Sequence, residues 1–89
     1  MNKKQNEILL ILQEECAEVI QAISKVKRFG LEHNIDQLEQ EIADVLCMIS
    51  LARSHGIIDS NEERVQDRIL VKEERLKRYS SIYETASNQ

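Results

Sequence analysis

Residues 8–26 read ILLILQEECAEVIQAISKV, and the spacing of apolar and charged letters in that run decides how the chain folds. Ile8, Ile11, Leu12, Val19, Ala22, Ile23 and Val26 recur at helical intervals, which puts them on one stripe of an α-helix turning about 100° per residue. On the same wheel Glu15 falls in the middle of the stripe. Glu18 lies about 60° to one side, and Glu14 sits near the edge. A helix that faces water carries its acids on the other side. Acids inside an apolar stripe therefore need a reason beyond packing.

A second run repeats the pattern. Leu38, Ile42, Val45, Ile49 and Ala52 define an inward arc, Glu41 falls inside it, and Asp44 sits about 60° further round, flanked by Met48 and Leu51. Each run thus aims an acid pair at spacing i, i+3 toward an interior. Carboxylates gathered there repel one another, and an unpaired buried charge is costly. Raised pKa values, ion pairs with Lys or Arg, or bound cations relieve the conflict. Neither inward stripe offers a base, so a divalent cation with oxygen ligands is the simplest remedy. The plainer alternative is that these acids are ordinary solvated helix residues, since EExxE strings arise often by chance.

Working outward, the chain has 89 residues, no Pro, two Gly and 31% charged residues. That is the profile of an all-α protein forming one domain over residues 1–89. Gly30 and Gly56 each follow a basic cluster, as helix C-termini prefer. Asn34 with Gln37, and Ser60 with Glu63, have the spacing of capping boxes at the next helix starts. Three helices follow, roughly 4–29, 35–55 and 61–83, with a polar tail over 80–89 expected to fray. The short connections predict an antiparallel helical bundle. Its wide apolar arcs predict completion by oligomerisation, as a homodimer or homotetramer. Glu15 and Glu18 lie further from the first turn than Glu41 and Asp44. Bringing them level requires a tilt, or a first helix that stops before Phe29.

Twelve basic against sixteen acidic residues give a net charge of −4, which disfavours a nucleic-acid partner. The longest apolar runs are five residues, far short of the roughly twenty a membrane span needs. Cys16 and Cys47 form no CxxC pair, and with His33 and His55 they match no local zinc spacing. They read as small apolar helix residues in a reducing, cytoplasmic setting.

At the acids the sequence resembles the MazG-like all-alpha nucleoside triphosphate pyrophosphohydrolases. The family pattern is EExxE, a gap of some twenty residues, then ExxD. Here Glu14-Glu15-Cys16-Ala17-Glu18 is followed, after a gap of 22, by Glu41-Ile42-Ala43-Asp44. The likeness covers residues 8–55. It implies hydrolysis of a (deoxy)nucleoside triphosphate between the α and β phosphates, with Mg²⁺ (or Mn²⁺) held by Glu15, Glu18, Glu41 and Asp44. Mg²⁺ suits a few carboxylates plus water and phosphate oxygens. Glu14, beside the ligand face, is the candidate to orient or deprotonate the attacking water. Members that act on phosphoribosyl-ATP show a His shortly after the ExxD acid. Met48 occupies that place here, which lowers that substrate. With no Trp, base stacking falls to Phe29, Tyr79 or Tyr83.

On the third helix Val65, Ile69, Leu76, Tyr79 and Tyr83 form a seam whose missing member is Lys72. The resemblance implies phosphate contacts from this helix, with Lys72, Arg75 and Arg78 as the candidates. The alternative for the whole chain is a non-catalytic helical oligomer, a scaffold or nucleotide-binding regulator. In that case the inward acids pair with Lys72 and its neighbours, and added Mg²⁺ has no effect on stability.

Overall fold

The computed structural model describes residues 1–85, and every regular element among them is helical. Helix α1 spans Lys3–Phe29, α2 Ile35–Ser54 and α3 Glu63–Tyr79. The chain divides into two compact units, Met1–Ile58 and a second that begins at Asp59.

In the first unit α1 and α2 pack along their apolar stripes. Ile8 on α1 meets Met48 and Ala52 on α2, with Ile11, Leu12, Ile57 and Ile58 packed against them. The line on α2 that faces α1 is Glu41, Val45, Met48 and Ala52. Ile42, at the edge of the expected arc, is 41% exposed instead. The start of α1 is fastened to the end of α2 by one side chain. Gln5 accepts a hydrogen bond from the Asn2 backbone N–H at 3.0 Å, while its Nε2 donates to the His55 carbonyl at 2.8 Å. Asn2 returns the first bond by accepting from the Gln5 backbone N–H at 2.8 Å, which completes a capping box.

Neither of the two expected capping boxes forms. The Asn34 side chain donates to the Gly30 carbonyl at 2.8 Å, closing the end of α1 rather than opening α2. At α3 the helix begins at Glu63, so Ser60 lies too early to cap it. Asp59 does the work instead. Its carboxylate accepts from the backbone N–H groups of Asn61 and Arg64, at 3.2 and 3.0 Å. These bonds, together with Arg64's charge, hold the Asp59 carboxyl below its ordinary value. An ionised acceptor outcompetes a serine hydroxyl for the same orphan donors. Helix α3 also ends four residues before the expected 83. The Ser80 hydroxyl and backbone N–H both donate to the Leu76 carbonyl, and Ser80 itself is extended. Of the tail expected to fray, residues 86–89 lie outside the described residues.

The core is small. Among the described residues only Ile8, Ala22, Met48 and Ala52 are buried apolar side chains. No helix is long and apolar enough to cross a membrane.

Candidate metal centre

The α1–α2 seam has two flanks, and they differ in chemistry. On one, Ile11 and Glu15 of α1 face Asp44, Cys47 and Met48 of α2 across a cleft of about 180 Å³. On the other, Cys16, Val19 and Ile20 face Ile42, Val45 and Leu46 across an apolar groove of about 250 Å³. Glu15 and Cys16 are neighbours in sequence, but the 100° helical step sends them to different flanks.

Three carboxylates converge at the cleft. One oxygen from each of Glu15, Glu41 and Asp44 lies within 4.8 Å of the others. Glu41 is buried, Glu15 half-buried and Asp44 exposed. Glu41 is 9% exposed and is the single buried charged residue among those described. Its Oε1 accepts a hydrogen bond from Gln37 Nε2, one helical turn earlier. The Glu15 carboxyl is raised above its ordinary 4.5, first by partial burial. Next come Asp44, both as a like charge and as acceptor for the protonated form, and then the charges of Glu41 and Glu18. Three acids crowded at one point, with one already resisting ionisation, form a donor set of hard oxygens suited to a small divalent cation.

The helical wheel brought Glu15, Glu18, Glu41 and Asp44 to one interior, and the structure gathers Glu15, Glu41 and Asp44. No early stop of α1 is needed, since the helix runs on to Phe29. Glu18 is exposed and is not part of the group of three. The helix carries it about 4.5 Å further along its axis, near enough to act on Glu15 through charge alone. Glu14 is exposed as well. On α3, Lys72, Arg75 and Arg78 are all exposed. Met48 is buried in the core. Two residues were not read from the sequence as part of the site. Cys47 lines the cleft because it follows Asp44 by one turn. Gln37 reaches Glu41 because it precedes it by one turn, and that i, i+4 spacing was the available signal.

No curated protein and no solved structure matches the chain. The family model described as the MazG nucleotide pyrophosphohydrolase domain does, over residues 3–77. That span covers all of α1 and α2, with the acids of both, and nearly all of α3. On that match the chain belongs to the MazG nucleotide pyrophosphohydrolase domain family.

Proposed function

We propose that the protein is a Mg²⁺-dependent hydrolase that adds water across the bond between the α and β phosphates of a (deoxy)nucleoside triphosphate. The products are the monophosphate and pyrophosphate. The observation that carries the reading is the convergence of Glu15, Glu41 and Asp44 within 4.8 Å, in a chain matched to this family over residues 3–77.

The donor set fits Mg²⁺, with Mn²⁺ as a substitute: all three ligand atoms are carboxylate oxygens, and the cleft is open to water and phosphate oxygens. When bound, the ion supplies positive charge against the triphosphate and Lewis acidity at a phosphoryl oxygen. Glu15, Glu41 and Asp44 hold it, and Glu18 completes the set from one turn along α1. Glu14, next to Glu15 and in contact with solvent, takes the proton of the attacking water. Lys72, Arg75 and Arg78 supply the cationic side chains for the phosphates that leave. In this reading residues 1–89 act as one domain, an antiparallel bundle completed by a second copy or by three, working in the cytoplasm.

Incubation with a panel of triphosphates and Mg²⁺ tests the activity, with released pyrophosphate as the readout. Glu41→Gln abolishes release while the helical circular-dichroism signal stays largely intact. Turnover retained in that variant overturns the ligand assignment. No release from any nucleotide with any metal overturns the enzyme and leaves the scaffold.

A further inference from the structure

We propose that Gln37 is a positioning residue for the metal centre: its side-chain amide holds the buried Glu41 carboxylate in place without cancelling its charge. The inference rests on the metal reading above and deepens it.

Glu41 is nine-tenths buried, so its carboxylate has lost most of its water. A buried carboxylate needs donors, and the one supplied is the Gln37 amide, which engages Oε1. The choice of donor matters. A Lys or Arg at 37 would satisfy the same oxygen, but it would neutralise Glu41 and compete with an incoming cation. An amide donates and remains neutral, so it adds no positive charge that would compete with a cation. Both residues sit on the rigid backbone of α2, one turn apart, so the contact is set by the helix rather than by a loop. Gln37 also gives up a local alternative. Three residues after Asn34, it has the spacing to reach back and cap α2, yet Asn34 makes no side-chain cap bond and the amide is committed to Glu41. Hydrogen bonds to ligating carboxylates orient them, and removing such a partner typically weakens metal binding about 10- to 100-fold.

The test titrates the free protein with Mn²⁺ and follows unbound Mn²⁺ by electron paramagnetic resonance. Gln37→Met keeps the length of the side chain and removes the N–H. It is expected to weaken Mn²⁺ binding about tenfold or more and to lower the metal-free melting temperature, since the buried Glu41 carboxylate loses its donor. Its pyrophosphate release should recover at high Mg²⁺, placing the defect in metal affinity rather than in the saturated rate. Gln37→Lys is expected to melt higher without metal and to bind Mn²⁺ more weakly still. Wild-type affinity in either variant overturns the role of Gln37. Absence of Mn²⁺ binding in the unaltered protein overturns the metal reading itself, and this inference with it.

Discussion

Glu15 and Asp59 make opposite demands on pH. The Glu15 carboxyl is raised above 4.5 in the folded chain, so the fold binds that proton more tightly than the unfolded chain does. The resulting penalty is fully present above the raised value and is relieved as pH falls toward 4.5. Asp59 is held below 3.8, so its contribution is present above 3.8 and is lost as pH falls through its lowered value. Metal-free protein should therefore melt higher near pH 4.5 than at pH 7, and lower again below 3.8. Thermal melts across that range check this. Glu15→Gln should flatten the upper part of the profile and leave the acid loss in place. The same residue shows what a single helix could reveal. Glu15, Glu41 and Asp44 were legible because each sits on an apolar arc. Glu18 shares the arc of Glu15, but its axial position relative to α2 depends on how two helices align, which one helix does not encode. Gln37 had two local uses, toward Asn34 three residues back and toward Glu41 four residues on, and the structure shows the second.

At the level of the helices, three elements and their approximate limits followed from apolar periodicity and two glycines. The ends were less legible, because a cap is a competition among nearby polar groups. At α3 Asp59 prevailed over Ser60, being charged and placed to reach two backbone donors. At α1 the Asn2–Gln5 box adds a second duty, since Gln5 also bonds the far end of α2. Gln5→Ala removes both bonds made by that side chain. It should cost about 1–2 kcal/mol, with Tm falling by roughly 4–8 °C per kcal/mol. Differential scanning calorimetry measures the loss. A change under 1 °C would mean that the Gln5–His55 contact contributes nothing to holding α1 on α2.

For the whole molecule the small core is the controlling fact. Ile20 and Leu46 are 66% and 60% exposed along the apolar groove, where a soluble helix pair would carry polar residues. We propose this side as the contact between copies. Leu46→Glu should lower the mass seen by sedimentation at fixed concentration and reduce the Tm. An unchanged mass would exclude that flank from the contact. The wide apolar arcs of three helices led to the expectation of association, without saying which flank would serve it. That assignment depends on which residues α1 and α2 consume against each other.

The division of the seam into an acidic flank and an apolar flank has a consequence for how such a protein can change over time. On the proposed reading, the acids that would hold metal and the apolar residues that would gather copies alternate along the same two helices, yet they look in different directions. If that reading holds, drift at Cys16, Ile20 or Leu46 would alter stoichiometry while the acidic flank stays as it was, and changes on the acidic flank would leave the apolar contact intact.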